Sequence, residues 1–271
     1  MNEQIFFYVN PSKENAGSTL DKALKAAHEL GYECMQFSSP REMYSEAKKT
    51  LPKLIITIGG DGTILRVAAY ALNHKVDSQI PILGINLGRV GFFTETAIDD
   101  FKEKLQEFKN GNYTIEERST LKCTLADGRE KIALNDFLTF RKGFFSIAHI
   151  DVTIDDTELG VIPADGIIIS SSAGSTGYSI SAGGPVVAPN LDVILVTPIC
   201  PHSLTARPVV AAFDSVVKIK TCSDCKLSAD GILLCEMPEG TEIKVSGSDK
   251  KIGFVRIEKR NIFKLIQEKL A

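Results

Sequence analysis

Two apolar segments of this chain each run directly into a glycine-rich turn, and this repeated pattern constrains the fold most. Residues 54–58 (Leu-Ile-Ile-Thr-Ile) precede the turn 59–63 (Gly-Gly-Asp-Gly-Thr), and residues 82–86 precede a turn from Gly88 to Gly91. An apolar stripe at helical spacing follows the first turn: Ile64, Leu65, Ala68, Ala69 and Leu72. Strands that alternate with helices predict a parallel sheet with flanking helices, which binds ligands beyond the carboxyl ends of its strands.

The N-terminal residues extend this α/β pattern. Residues 5–10 form an apolar, aromatic-rich run that predicts a buried strand. Ser18 resembles a helix N-cap and Gly31 a helix end, with apolar residues at helical spacing between them. We therefore expect an α/β domain over residues 1–98.

The pattern changes from about residue 113, where short alternating or β-branched runs are separated by Asp-Gly turns at Asp127, Asp165 and Asp230. The runs are residues 121–125, 132–134, 150–154, 166–170, 193–197, 216–219, 243–245 and 252–257. They predict a β-rich, largely antiparallel substrate-binding domain over residues 99–257. Residues 258–271 are helical in pattern and are expected to rejoin the first domain.

Charge and composition exclude several classes of protein. The 31 basic and 34 acidic side chains leave a formal net charge of −3, so no global positive field favours a nucleic acid or an anionic membrane. No basic segment followed by an apolar stretch opens the chain, and no apolar run approaches the ~20 residues that span a bilayer. We expect a cytoplasmic protein whose six cysteines are thiols.

The first glycine turn has the composition of a phosphate-binding loop that also carries a carboxylate. Gly59, Gly60 and Gly62 let backbone N–H groups approach an anion, and Thr63 opens the following helix, whose N-terminus favours negative charge. Asp61 would repel a phosphate unless it binds a metal or accepts a proton from an attacking hydroxyl. A plain strand-to-helix turn explains the same residues equally well.

A second candidate segment is the glycine- and serine-rich run 170–185, which contains Tyr178. Small residues permit close approach of a ligand, and the tyrosine ring can pack on a base or a sugar. A flexible linker is the alternative, but the run directly follows an apolar strand and ends in Pro185. We interpret it as a binding segment.

Together these segments resemble the successive motifs of the NAD kinase family. A GGDG turn alone is shared with lipid kinases and phosphofructokinases, whereas the long glycine/serine run is far more specific. The matching segments, in chain order, are residues 59–63, 84–92, 117–118, 135–136, 174–185, 201–204 and 207–208.

The resemblance implies an enzyme that phosphorylates the 2′-hydroxyl of the adenosine ribose of NAD and makes NADP, a phosphotransferase with an alcohol acceptor. The donor is ATP, or polyphosphate in some members, with a divalent metal ion, Mg²⁺. The family's fold is the α/β domain plus β-rich domain expected above. A homodimer or homotetramer is implied, with no nucleic-acid or membrane partner.

The resemblance also assigns roles to positions of this chain. Asp61 matches the aspartate that acts on the acceptor hydroxyl, and Gly62 and Arg66 match substrate-binding positions. Asn135 and Asp136 match the pair that holds the adenosine ribose, and Asp165 matches an acid near the nicotinamide. Further substrate-binding positions lie in the glycine/serine run: Ala173, Thr176, Gly177, Tyr178 and Ser181.

The chain departs from the family pattern at several positions. Asp136 is one methylene shorter than the usual glutamate, Ala173 and Gly177 replace threonine and alanine, and Ile232 stands where glutamine is frequent. A lipid or sugar-phosphate kinase that shares only the GGDG turn, and a non-catalytic dinucleotide-binding module, remain alternatives. Cys222, Cys225 and Cys235 have partial metal-ligand spacing, but no nearby histidine or second CxxC completes a zinc site.

Overall fold

The fold is described from a computed structural model that covers residues 3–74, 80–88, 91–143, 145–259 and 261–270. Arg89 and Val90, part of the second glycine turn of the sequence analysis, lie outside these residues, as do Arg260 and Ala271 of the expected C-terminal helical segment. The described residues form two compact units, residues 1–118 with 251–271 and residues 119–250. As functional domains, the division at residues 98 and 258 stays a prediction.

The first half of the chain alternates strands and helices. Its elements are β1 (Gln4–Val9), α1 (Ala16–Glu29), β2 (Glu33–Phe37), α2 (Pro40–Ala47), β3 (Leu54–Ile58), α3 (Asp61–Asn73), β4 (Ile82–Asn86), β5 (Thr96–Ala97), α4 (Phe101–Lys109) and β6 (Thr114–Thr124).

The second half is mostly strands, with a short helical segment after β11. Its elements are β7 (Glu130–Ala133), β8 (Asp136–Arg141), β9 (Ala148–Ile154), β10 (Thr157–Ala164), β11 (Gly166–Ser171), a 3-10 turn (Ala173–Thr176), α5 (Tyr178–Ser181), β12 (Val193–Ile199), β13 (Val209–Ala212), β14 (Val217–Thr221), β15 (Cys225–Ala229), β16 (Ile232–Met237), β17 (Glu242–Arg256) and α6 (Ile262–Leu270).

Unit 1 contains a parallel sheet in the order β2-β1-β3-β4, as the alternating pattern predicts. Alternate residues of β1 point to opposite faces, and Ile5 and Phe7 pack with α1 and α4 in one core. Strands β3 and β4 are entirely buried, which explains their mostly apolar sequences. The predicted bounds of these two strands are confirmed.

Some local predictions in unit 1 are wrong. Helix α1 begins at Ala16 after Asn15, which has φ 62°, so Ser18 lies inside the helix and is not its N-cap. On α3 the buried stripe includes Val67 and Ala71, whereas Leu65 is only partly buried. Ala69 is likewise only partly buried, so the buried face of α3 is formed by residues 63, 64, 67, 68, 71 and 72.

Unit 2 is a sandwich of antiparallel strands. One layer is a six-stranded sheet in the order β13-β12-β11-β8-β15-β16, and the other contains the described strands β10-β9-β14-β17 with β6 and β7. A shared core includes Phe137, Ile169 and Leu227 from the first layer and Ile150 and Ile219 from the second. The predicted antiparallel architecture is confirmed.

The strand bounds correct one prediction in this part of the chain and confirm another. The runs 243–245 and 252–257 were expected as separate strands but belong to one strand, β17. Asp165 was expected in a turn, and it is the bend residue between β10 and β11. Among the described residues no helix is both long enough and apolar enough to cross a membrane.

Candidate active site

The first glycine turn of unit 1 follows β3 and contacts the described residues 92–94, which follow β4. These strands are parallel neighbours, with Ile58 opposite Ile85, and the N–H of Gly59 donates to the carbonyl oxygen of Ile85 at 3.0 Å. Asp61 is the first residue of α3 and is partly buried. The sequence therefore places its carboxylate beside the segment that follows β4.

Three backbone amides hold the Asp61 carboxylate. Oδ2 accepts from the N–H of Phe92 at 2.8 Å, and Oδ1 accepts from the N–H groups of Phe93 at 3.0 Å and Thr94 at 3.3 Å. A carboxylate offers about four acceptor positions, two on each oxygen. Oδ1 is therefore filled, and Oδ2 retains one position for a further donor.

Hydrogen bonds to Thr94 hold the described residues Gly91 and Asn86 in place. The Thr94 hydroxyl oxygen accepts from the N–H of Gly91 at 2.6 Å and from Nδ2 of Asn86 at 3.1 Å. A Cβ at Gly91 would lie 2.0 Å from Oδ1 of Asp61, so only glycine fits at that position. Gly91 therefore forms part of the wall against which the carboxylate rests.

The N-terminus of α3 has no side-chain cap. Gly60 is the N-cap residue and has extended backbone, and Gly62 is exposed. Uncapped N–H groups at a helix N-terminus favour an anion such as phosphate. Thr63 is 3% exposed and its hydroxyl contacts Gly59, so its hydroxyl faces the interior.

Arg66 lies one turn further along α3 and is exposed. The structure records no ion pair or hydrogen bond from its side chain to any described residue. Its guanidinium is therefore available to an anionic ligand.

A second group of candidate residues gathers in unit 2, where the start of β8 meets the ends of β11 and β15. Asp136 is paired with Ser170 of β11, and Phe137 with Ala229 of β15. Asn135 and Asp136 are 9% and 8% exposed, and Oδ1 of Asn135 is buried with no partner among the described residues. This unpaired acceptor is costly in a folded protein unless a ligand donates to it.

The glycine/serine run packs against this pair as the 3-10 turn and α5. A Cβ at Gly174 would lie 2.2 Å from the carbonyl oxygen of Asn135, which requires glycine there. At Gly177 a Cβ would lie 3.5 Å from Nδ2 of Asn135 and 3.9 Å from Oδ2 of Asp136, so both side chains face this residue. The segment is folded and buried in part, which argues against the linker interpretation.

Other residues of the run line the same segment with different exposure. Tyr178 is 49% exposed, Ser181 is exposed, Thr176 is partly buried and Ala173 is buried. Their roles in substrate binding stay predictions.

Asp230 is recognisable in the sequence only as the first residue of an Asp-Gly turn, yet it has several buried partners. Its carboxylate accepts from the N–H groups of Leu134 at 2.9 Å, Asn135 at 2.7 Å and Asp136 at 3.2 Å. Burial raises the pKa of Asp230, while those three N–H groups lower it. Burial and the charge of Asp230 raise the pKa of Asp136 to about 7.

Asp165 does not join this group. It pairs with Arg141, whose Nε lies 3.1 Å from Oδ1, and it precedes β11 at the end opposite Ser170. Five residues of extended strand separate the two ends by roughly 17 Å. Unit 2 therefore presents Asp165 and the Asn135–Asp136 pair at separate places.

The cysteines do not form a metal site. The structure records all six as free thiols, with Cys225 buried on β15 and Cys222 exposed before it. Across the described ranges, no three His, Cys, Asp or Glu side chains lie close enough together to hold a metal ion.

Comparisons with known proteins agree on one family. A family model described as the ATP-NAD kinase N-terminal domain matches residues 3–113, and the ATP-NAD kinase C-terminal domain matches residues 134–257. The NAD kinase of Caldicellulosiruptor saccharolyticus is 37% identical, over 97% of this chain and 97% of that protein. The NAD kinase of Natranaerobius thermophilus is 38% identical, over 84% of this chain and 80% of that protein.

Two solved structures share the whole fold. Yeast NADH kinase complexed with NADH gives a TM-score of 0.87 at 25% identity, covering 99% of this chain and 87% of that chain. An NAD kinase from Archaeoglobus fulgidus in complex with ATP gives a TM-score of 0.80 at 25% identity, covering 99% of this chain and 98% of that chain. Because both domain models and near-full-length relatives match, this chain belongs to the NAD kinase family.

Proposed function

We propose that this chain transfers the γ-phosphoryl group of ATP to the 2′-hydroxyl of the adenosine ribose of NAD, with Asp61 as the proton acceptor. Family membership supports the reaction. The observation that carries the role of Asp61 is its position between an uncapped helix N-terminus and three amides that leave Oδ2 one acceptor position. A carboxylate held in this way is oriented before any substrate binds.

The proposed step balances without a further reactant. The 2′-hydroxyl oxygen attacks the γ-phosphorus as its O–H bond breaks and the proton passes to Oδ2 of Asp61. The bond from the γ-phosphorus to its bridging oxygen breaks, and ADP leaves with the bonding electron pair. Asp61 orients the hydroxyl and takes its proton late, which suits the loose transition state of phosphoryl transfer.

The glycine turn is proposed to hold the phosphates. Gly60 and Gly62 bring backbone N–H groups to the start of α3, and the helix dipole favours the negative charge of the phosphates. The N–H of Gly59 already donates to Ile85, so in this proposal Gly59 shapes the turn. The hydroxyl of Thr63 is buried and its N–H donates to the carbonyl oxygen of Gly60 at 2.8 Å, so Thr63 supports the phosphates indirectly, by fixing the turn. Arg66 is the exposed cation on the same helix.

Asn135 and Asp136 are proposed to hold the adenosine ribose. The unpaired Oδ1 of Asn135 accepts a sugar hydroxyl, and the carboxyl group of Asp136 offers a second contact beside Gly177. Tyr178 packs its exposed ring on the dinucleotide, while Ala173, Thr176 and Ser181 line the same segment. Asp165 is assigned to the nicotinamide side, at the other end of β11.

Mg²⁺ is proposed as the accompanying metal ion. The described side chains do not fit a dedicated metal cage, because no three candidate ligands converge. Mg²⁺ in kinases is commonly held by substrate phosphates with few protein ligands. In this proposal the ion therefore enters with ATP, and the donor choice between ATP and polyphosphate is tested separately.

A homodimer or homotetramer is the proposed assembly. Exposed apolar side chains in unit 2 support it, with Leu159 43%, Val161 51% and Val210 53% exposed. Exposed apolar patches commonly mark protein–protein contacts. Light scattering on the purified chain measures the assembly directly, and a monomer would contradict it. Cytoplasmic location also stays a prediction.

A coupled assay tests the reaction. Purified protein is mixed with NAD, Mg²⁺ and either ATP or polyphosphate, and NADP is detected through an NADP-specific dehydrogenase. NADP from the wild-type chain supports the reaction, whereas NAD binding without NADP would favour the non-catalytic module. Phosphate transfer to diacylglycerol or a hexose phosphate, and none to NAD, would favour another GGDG-type kinase.

Asp61→Asn tests the proton acceptor. The replacement keeps the size of the side chain, and loss of a general base lowers kcat by roughly 10²- to 10⁴-fold. Asp99→Asn, on the loop before α4, is the matched control and keeps wild-type kcat. Wild-type kcat in Asp61→Asn would remove Asp61 from the mechanism even if the wild-type chain makes NADP.

A further inference from the structure

Two peptide groups connect Arg256 to the Asp61 carboxylate. Nη2 of Arg256 donates to the carbonyl oxygen of Phe92 at 3.4 Å, and Nη1 donates to that of Phe93 at 3.0 Å. Oδ1 of Asp61 accepts from the N–H of Phe93 at 3.0 Å and of Thr94 at 3.3 Å. The carbonyl of one residue and the N–H of the next belong to one peptide group, so the same two groups make both sets of bonds.

The geometry of the peptide bond explains this connection. In a trans peptide the C=O and N–H point in opposite directions, and the described chain contains no cis peptide. Each of the two groups therefore accepts from Arg256 on one side and donates to Asp61 on the other. Hydrogen bonds in such chains polarise and strengthen one another.

Arg256 is itself fixed by two carboxylates, the buried Glu95 and the partly buried Glu116. It is 5% exposed, its Nη1 lies 3.1 Å from Oε2 of Glu95, and its Nε lies 2.5 Å from Oε2 of Glu116. Oε1 of Glu95 also accepts from the N–H of Ile257 at 3.0 Å. The guanidinium cannot turn away from the loop without breaking these contacts.

We propose that Arg256 is a positioning residue for phosphoryl transfer, an inference that rests on the proposed function. Through the two peptide groups it fixes Oδ1 of Asp61 and fills both acceptor positions of that oxygen. Oδ2, which accepts only from the N–H of Phe92 among the described residues, is left to take the hydroxyl proton. Arg256 thus determines which carboxylate oxygen acts as the base, without contacting the substrate.

Arg118 provides a matched control within the same charge cluster. It is 6% exposed, and its Nη2 lies 2.9 Å from Oε1 of Glu116, the carboxylate that also pairs with Arg256. The structure gives its side chain no hydrogen bond to the described residues 91–94. If buried arginines served only the stability of the fold, replacing either one would change kcat to the same extent. The proposal instead predicts a loss of kcat only when Arg256 is replaced.

The experiment compares Arg256→Lys with Arg118→Lys in the full chain. Lysine keeps the positive charge beside the glutamates but lacks the fork that reaches two carbonyl oxygens. For Arg256→Lys we expect kcat to fall by at least about tenfold while KM for NAD and ATP changes less than about threefold, because misplacing a reacting group costs rate more than binding. For Arg118→Lys we expect kcat to stay within about twofold of wild type.

A second readout follows the amides directly. Hydrogen exchange at Phe93 and Thr94 is expected to become faster in Arg256→Lys and to stay at the wild-type rate in Arg118→Lys. Wild-type kcat in a folded Arg256→Lys, or an equal loss in both variants, would overturn the positioning role. A wild-type chain that makes no NADP would instead overturn the proposed function, so the two failures are distinguishable.

Glu95→Gln covers the case in which Arg256→Lys does not fold. The amide oxygen of glutamine still accepts from the N–H of Ile257, but the charge that orients Nη1 is lost. We expect kcat to fall by about three- to tenfold with little change in KM, as a weakened positioning contact requires. An unchanged kcat in Glu95→Gln, with that variant folded, would overturn the proposal.

Discussion

Asp230 accepts a hydrogen bond from the N–H of Asp136, and its carboxylate helps to raise the pKa of the Asp136 carboxyl group to about 7. The backbone of Asp136 thus stabilises the neighbouring carboxylate, while burial and the same charge make the side chain of Asp136 harder to ionise. Both residues lie where β8 begins, beside the segment proposed to hold the ribose.

The first prediction concerns the pH dependence of stability. The pKa of Asp136 rises from 3.8 in the unfolded chain to about 7 in the folded one, so the folded state binds the proton more tightly. Its contribution to stability is complete below about pH 4 and is lost as the pH rises through about 7. This lowers the free energy of unfolding by on the order of 1 kcal/mol for each pH unit between about pH 4 and about pH 7. Asp136→Asn should abolish this pH dependence.

Urea unfolding of both proteins between about pH 5 and about pH 8 measures this difference. Asp155→Asn is the control. Hydrogen bonds from Ser215 and Val216 lower the pKa of Asp155, so its titration changes stability only at a pH below the measured range. Equal pH dependence in the wild type and in Asp136→Asn would refute the raised pKa.

A second prediction tests Asp230 as a support for the ribose pair. Asp230 has φ 46°, which asparagine tolerates, so Asp230→Asn preserves the turn while it replaces an acceptor oxygen by an N–H₂ group. One or more of the three amides loses its partner, at a cost of about 1–3 kcal/mol in the free energy of unfolding. We expect KM for NAD to rise by a larger factor than kcat falls, as measured by steady-state kinetics. An unchanged KM would contradict the role of Asp230 as a support for the ribose-binding pair.

A third prediction concerns the close approach of Gly91 to Asp61. The added methyl group in Gly91→Ala would lie 2.0 Å from Oδ1, so the carboxylate must leave its amides. A displaced base lowers kcat by roughly 10²-fold. Gly88→Ala is the matched control, because its nearest neighbour is Oδ1 of Asn86 at 3.7 Å; comparable losses in the two variants would argue against a specific effect on Asp61.

A fourth prediction concerns Tyr178, whose ring is 49% exposed. Tyr178→Ala removes an aromatic surface from the proposed dinucleotide site while little core packing is lost. We expect KM for NAD to rise about three- to tenfold, the equivalent of one aromatic contact, with an unchanged melting temperature. Leu204→Ala, at a residue 87% exposed, should leave KM unchanged; isothermal titration with NAD gives the same comparison without turnover.

The parts of the fold that were predicted correctly are those whose sequence directly reflects burial. Strands β3 and β4 are buried throughout and have mostly apolar sequences that end at glycine-rich turns, so their bounds could be predicted. Strand β2 was missed because its residues are partly exposed and polar at Glu33 and Gln36. Strand β17 was divided in the prediction because the polar residues 246–251 interrupt its apolar pattern, although its backbone remains extended.

The candidate site was predictable where side chains carry the chemistry. Asp61 and its glycines stand next to one another in the chain, and their spacing is visible. Its partners are main-chain N–H groups more than 30 residues away. Because every residue except proline carries such a group, the sequence gives no sign of which ones bind Asp61. Asp230 is about 95 residues from the amides that it accepts from, and only its Asp-Gly turn was visible.

The main-chain origin of those donors affects how the protein tolerates substitution. Phe92 and Phe93 can exchange their side chains for almost any other without deleting the N–H that each offers to Asp61, and the same holds for Leu134 beside Asp230. Proline alone lacks the N–H group and would remove a donor outright. Most single substitutions in the segments that donate to Asp61 and Asp230 therefore leave the hydrogen bonds that orient these two carboxylates in place.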